Sequence, residues 1–348
     1  MKVPSTINVI DVQVAGETGR VLLDQCSLVQ GNDMVSRLKY CRDHLGDLRQ
    51  AVLREPRGHA NLMGAIVVPP VASDSDFGVI IMEQADYAPM SGANLMCAVT
   101  AVLETQQVGV TEPVTELAVD TASGTVKVCA RVHGGRVTEI TIESVLSFAA
   151  YIEHKLDVPE YGELFVDIGF GGQFYVQALA SAFGLELHAS QAPELIRAAN
   201  LLLATARECI SVVHPTMPHL DQINLPMLYA DSANDSATTT GLVVMPIQQP
   251  SLSEPTTWNA GTVDRSPGGT GTCARLAVEY AKGNLRLGEE FVQRSLLGTT
   301  FTGRLEERFV KSDHVMLRPS LTGRGGWVTG YSQLVIAPDD PFPQGFSL

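Results

Sequence analysis

The residue types that could do chemistry gather in two short segments, Pro89-Met-Ser-Gly-Ala-Asn94 and Asp264-Arg-Ser-Pro-Gly-Gly-Thr-Gly271. Each is a tight turn of small residues that runs into an apolar stretch with helical spacing. A Gly-rich turn that opens a helix leaves several backbone N–H groups unpaired, and the helix dipole adds partial positive charge at the same point. Two such starts facing each other would hold a carboxylate and stabilise the enediolate formed when a proton leaves the neighbouring carbon. Taken singly, each segment also has a plain structural reading. Ser91 makes an ordinary N-cap, and the glycines serve turn geometry and close packing. Neither segment is a GxGxxG, and no lysine follows Gly271 to make a phosphate loop.

The elements behind these turns are legible from periodicity. After Ser91, Leu95, Met96, Val99, Val102 and Leu103 recur at helical spacing, with Ala93, Ala98 and Ala101 between them and Glu104 ending the run. After Gly271 come Cys273, Ala274, Leu276, Ala277, Val278, Tyr280 and Ala281, with Gly283 as a stop signal. Helices apolar on all sides must be surrounded by protein. Two of them, each behind a Gly-rich turn, imply an α/β chain of two similar lobes, each wrapping strands around one buried helix. The expected division is residues 1–150, with 325–348 returning to that lobe, and residues 151–324. A further helix is expected over Met34–Arg54, capped by Asp33 and ended before Pro56, and another over about Pro193–Ala206. Strand-like runs include Ile7–Val14, Ile66–Pro69, Val79–Met82, Phe174–Leu179, Ile210–Val213, Gly241–Met245 and Trp327–Ile336.

Composition narrows the function classes. With a formal net charge of −14 over 348 residues, nucleic acid and anionic membranes are disfavoured partners. No apolar run is long enough to span a bilayer, and residues Met1–Ile10 lack the features of a signal peptide and read as a first strand, so a cytoplasmic location is expected. The six cysteines (26, 41, 97, 129, 209 and 273) form no CxxC pair and fit reduced thiols. His214 and His219 are separated by Pro215 and Pro218, and no HExxH is present, so no metal site is expected.

Ordered matches along nearly the whole chain resemble the proline racemase superfamily, which includes proline racemases, 4-hydroxyproline epimerases and trans-3-hydroxy-L-proline dehydratases. They include Gly16-Glu-Thr-Gly-Arg20, Arg54-Glu-Pro-Arg-Gly-His59, Tyr87-Ala-Pro-Met-Ser-Gly92, Asp167-Ile-Gly-Phe-Gly-Gly172, His214-Pro215, and most strongly Asp264-Arg-Ser-Pro-Gly-Gly-Thr-Gly-Thr272. The resemblance implies a fold like diaminopimelate epimerase, with two pseudo-symmetric lobes, and chemistry without a cofactor. It places one catalytic cysteine where this chain has Ser91 and the other where it has Gly268. The histidine usual two residues after the first cysteine is Ala93 here. It further implies that Gly92, Gly269 and Thr270 bind the substrate carboxylate through their backbones and that Asp264 contacts the substrate amine. Ala93 and Gly268 enlarge the expected pocket. Cys97 and Cys273 are expected to be packing thiols, and His59 and His214 structural.

Loss of an acid/base side chain at Gly268 argues against symmetric two-base racemisation. The leading expectation is therefore removal of the α-proton of a cyclic imino acid by Ser91, in the manner of a trans-3-hydroxy-L-proline dehydratase. The alternatives are a 4-hydroxyproline epimerase or proline racemase, and an imino-acid-binding protein on the same fold. A homodimer is the expected assembly.

Overall fold

The structure, a computed structural model, describes residues 4–231, 238–312 and 314–347. The expected first strand therefore lies partly outside the described residues, at 1–3. The chain divides into two compact units, Met1–Ile142 with Gly323–Leu348, and Glu143–Thr322.

In the first unit, β1 (Thr6–Val14) pairs antiparallel with β2 (Glu17–Leu22) and with β18 (Trp327–Val335). Next, β2 runs parallel to β3 (Met63–Val68), and β3 antiparallel to β4 (Phe77–Met82). Then β4 pairs antiparallel with the short β5 (Tyr87–Ala88) and parallel with β6 (Val114–Thr121), which forms a hairpin with β7 (Gly124–His133). β8 (Arg136–Glu143) follows. Helices α1 (Met34–His44) and α2 (Gly46–Leu53) occupy the β2–β3 connection, and α3 (Gly92–Glu104) lies between β5 and β6.

The second unit repeats this order. β10 (Gly162–Phe170) pairs antiparallel with β9 (Phe148–Val158) and β11 (Phe174–Leu179), and β11 runs parallel to β12 (Ile223–Asp231). β12 is antiparallel to β13 (Thr238–Pro246), which takes the short β14 (Gly261–Val263) antiparallel and β15 (Glu290–Arg294) parallel. β16 (Thr300–Lys311) and β17 (His314–Arg324) complete the antiparallel run. α4 (Ala192–Cys209) fills the β11–β12 connection and α5 (Gly269–Ala281) follows β14. With strand directions and helix positions matched step for step, the fold consists of two pseudo-symmetric lobes.

The two central helices match their expected spans. Every residue of α3 from Gly92 to Leu103 is buried, as is every residue of α5 from Gly269 to Glu279. Each large apolar side chain so buried contributes about 1.5–3 kcal/mol against its exposed state. The second unit packs Leu276 and Ala277 of α5 against Phe291, Leu305 and Leu317.

Two expectations need correction. The helix expected over Met34–Arg54 is broken at Leu45, whose φ of −112° and ψ of 17° leave the α-region. Gly46, a residue about 1 kcal/mol worse than Ala inside a helix, directly follows the break. The Tyr87 hydroxyl donates to the Leu45 carbonyl at 2.8 Å and anchors the kink. The apolar face expected from the spacing of Leu38, Cys41, Leu45, Leu48 and Leu53 is buried throughout. Ile210–Val213 forms no strand: the Ile210 N–H closes α4 on Ala206, and Val213 is exposed with no ladder partner. Among the described residues, no helix is long and apolar enough to cross a membrane.

Candidate active site

The first unit delivers its half of the candidate residues from β5 through Pro89 and Met90 to the start of α3. Ser91 is the N-cap, in extended conformation (φ −147°, ψ 124°) and 8% exposed. Its Oγ accepts from the Asn94 backbone N–H at 3.5 Å, and the Asn94 side-chain Nδ2 lies at the same 3.5 Å. Gly92 and Ala93 occupy the first two helical positions, so their N–H groups have no acceptor within the helix. The first turn carries no acidic residue to oppose a developing negative charge.

In the second unit the chain reaches α5 through an Asx turn. Asp264 Oδ1 accepts from Ser266 N at 2.8 Å, and Ser266 Oγ accepts from Gly268 N at 3.1 Å. Gly268 is the N-cap, with no side-chain cap, and its carbonyl accepts from Thr272 N and Oγ1 at 2.8 and 2.7 Å. Gly269 and Thr270 present the first backbone N–H groups of α5. The Thr270 hydroxyl is shared with the buried Tyr175 hydroxyl at 2.7 Å.

Gly268 differs from a cysteine position in more than side chain. Its φ is +80°, a backbone region that L residues rarely adopt. A Cβ built there would stand 2.8 Å from Val243 Cγ2 and 3.6 Å from Asp264 Oδ2. Valine is stiff at χ1, so β13 fills the direction that a side chain at position 268 would take. The Asp264 carboxylate thus has one oxygen in a local turn and the other beside Gly268.

The remaining candidates lie elsewhere. Cys97 is buried and donates towards the Val12 carbonyl at 3.7 Å, and burial, with Glu17 adding to it, holds its thiol well above the usual range. Burial likewise pushes the Cys273 thiol up to about 12. Neither is a base at neutral pH. His59 sits exposed in a loop of the first unit, where its carbonyl accepts from Gln84 Nε2 at 3.0 Å. His214 is 2% exposed, with its ring edge-on to those of Phe148 and Phe170 at 5.3 and 4.7 Å between centroids. Its Nδ1 accepts from Thr216 N and Met217 N at 3.2 and 3.1 Å.

Sequence reasoning missed Asn94, Ser266, Tyr175 and Val243. Of these only Asn94 had a visible signal, as an amide three residues after Ser91 in a helix otherwise almost wholly apolar. Ser266 acts within the local turn through Asp264 and Gly268, whereas Tyr175 and Val243 act through tertiary contacts that no local spacing encodes.

Comparison with known proteins places the chain as a whole. The sequence profile described as proline racemase matches residues 9–347. A proline racemase of Clostridioides difficile is 34% identical over 348 residues, covering 100% of both chains. A 4-hydroxyproline 2-epimerase of Streptosporangium roseum is 32% identical, again over 100% of both. The solved structure of a hydroxyproline epimerase from Agrobacterium vitis, with bound trans-4-hydroxy-L-proline, matches with a TM-score of 0.91 at 28% identity, over 100% of this chain and 96% of that one. Sequence and fold agree from end to end, and the chain belongs to the proline racemase family.

Proposed function

We propose that the protein is a cofactor-independent isomerase that removes and returns the α-proton of a cyclic imino acid of the proline or 4-hydroxyproline type. The observation that carries this reading is Ser91 Oγ at the α3 start, flanked by two N–H donors of Asn94. A serine hydroxyl is a weak base, and donors aimed at its oxygen stabilise the alkoxide it must become. The Gly269 and Thr270 N–H groups bind the substrate carboxylate, and Asp264 takes the ring nitrogen. The names of the relatives, racemases and epimerases, support isomerisation over elimination. Gly268 has no side chain to carry a proton, so the returned proton comes from water.

A second reading is favoured by the backbone at Gly268 itself. Its φ of +80° and the proximity of Val243 leave no room for an acid/base side chain at position 268, which suits one-sided loss of the α-proton followed by departure of a 3-hydroxyl. The product is then an enamine that tautomerises to the imine.

One experiment separates the two. Proline and the 3- and 4-hydroxyproline isomers are incubated in deuterated water and followed by proton NMR and chiral chromatography. Deuterium at Cα with inversion supports the isomerase, and imine from trans-3-hydroxy-L-proline supports the lyase. Ser91→Ala is expected to lower either rate by about 100-fold or more. No exchange and no imine from any of these compounds, or full activity in Ser91→Ala, overturns the assignment of Ser91.

A further inference from the structure

We propose that Asn94 is a positioning residue that lowers the proton affinity of Ser91 through its side-chain amide, an inference that rests on Ser91 being the base. Asn94 is the third residue of α3 and is 0% exposed. Its backbone N–H already caps Ser91, and any residue at that position could do the same. The side chain adds a second donor, with Nδ2 3.5 Å from Ser91 Oγ.

The amide is an expensive way to fill that space. Its Oδ1 is buried without a hydrogen-bond partner, which destabilises a fold relative to an apolar side chain of similar size. The oxygen points towards Gly19 on β2, where a built Cβ would lie 3.1 Å from Oδ1 and 2.8 Å from Cys97 Sγ. The absence of a side chain at Gly19 is what leaves the amide room beside Cys97. A polar group kept in an apolar helix at a stability cost, with its donor end aimed at the candidate base, is the pattern of a functional rather than a packing residue.

The two 3.5 Å contacts are long for a neutral hydroxyl. Hydrogen bonds from N–H to an oxyanion run shorter and are stronger than neutral ones. Both donors therefore bind the alkoxide better than the alcohol. That difference lowers the pKa, and it acts where charge develops rather than in the resting state.

The test needs no substrate. In Ser91→Cys, the rate of alkylation by iodoacetamide is followed against pH by peptide fragment ions that assign the label to position 91, so neither Cys97 on the same tryptic peptide nor the other thiols contribute. The expected midpoint lies below the ordinary thiol value of about 8.5. Adding Asn94→Leu is expected to raise it by about one unit, and Asn94→Asp to raise it further by placing a carboxylate beside the sulfur. In the otherwise native chain, Asn94→Leu is expected to keep or raise the melting temperature while α-proton exchange falls about tenfold at unchanged KM. An unmoved midpoint overturns the proposal, as does a lowered melting temperature with unchanged exchange. Asn94→Ala serves as a second donor-free variant if Asn94→Leu fails to fold. A midpoint that rises while no imino acid exchanges its α-proton leaves the action of Asn94 standing and removes the reaction assigned to Ser91.

Discussion

At position 268 the backbone itself selects the residue. A φ of +80° disfavours every L side chain, and Val243 Cγ2 stands 2.8 Å from the place of a Cβ. Restoring a side chain is thus not a simple reversal of its loss. Gly268→Ala is expected to lower the unfolding free energy by about 2 kcal/mol or more, from left-handed strain together with overpacking. Part of that cost is steric and part torsional, which a double-mutant cycle in urea separates. Combined with Val243→Ala, the loss should be smaller than the sum of the two single losses, because the trimmed valine makes room for the new Cβ. Strict additivity would show that Val243 does not oppose the side chain. At this scale the sequence revealed which residues flank the two turns, but not that Gly268 adopts a glycine-only conformation. That conformation sits within the local bonds that link Asp264, Ser266, Gly268 and Thr272.

At the scale of elements, α3 and α5 were legible because helices apolar on all sides leave little ambiguity in their ends. Strands β9, β16 and β17 were not. β16 reads Thr-Phe-Thr-Gly-Arg-Leu-Glu-Glu-Arg-Phe-Val-Lys and is largely exposed in its second half, so its alternation fades where charge takes over. The function of Asp167 was hidden for a related reason, since its partners lie over a hundred residues away on α5 and its C-terminal edge. Asp167 Oδ2 meets Lys282 Nζ at 2.7 Å and Arg275 NH1 at 3.6 Å, and Arg275 NH2 meets Glu279 at 2.6 Å. The Arg275 guanidinium also stacks 3.4 Å above the Tyr229 ring. Burial works against the Lys282 charge, but the bond to Asp167 outweighs it and the pKa rises. This network ties the C-terminal half of α5 to β10 and β12. Removing one partner leaves buried charge uncompensated, so Asp167→Leu should cost about 3 kcal/mol in urea unfolding. A loss below about 0.5 kcal/mol, typical of surface substitutions, would mean that Glu279 and Tyr229 suffice to hold Arg275.

Over the whole molecule, the duplicated topology means that difference in function must come from side chains, because the strand order offers none. The two helix starts diverge in that way, one with Ser91 and Asn94 and the other with backbone alone at Gly268. The groups that tune stability to pH are also unequally placed. His214 of the second unit is held down to about 4 by burial first and then by electrostatic repulsion from His219 and His314. Its folded pKa lies below the unfolded value of 6.5. The neutral ring is therefore favoured by folding, and its contribution is complete above 6.5 and lost progressively as pH falls towards 4. Asp120 in the first unit acts in a lower window. Burial raises its pKa, but hydrogen bonds from Thr125, Ser75, Val71 and Ala72 win and lower it below 3.8, so its stabilisation is present above that value and lost on further acidification. Between pH 6.5 and 4 the decline in unfolding free energy should then come largely from His214, at up to about 3 kcal/mol for a shift of this size. His214→Asn keeps an acceptor for the Thr216 and Met217 N–H groups and has nothing to titrate in that range. Urea unfolding at several pH values should show a much flatter profile for the variant between pH 6.5 and 4, with the drop below pH 4 retained. An unchanged slope would place the acid sensitivity of the fold in groups other than this histidine.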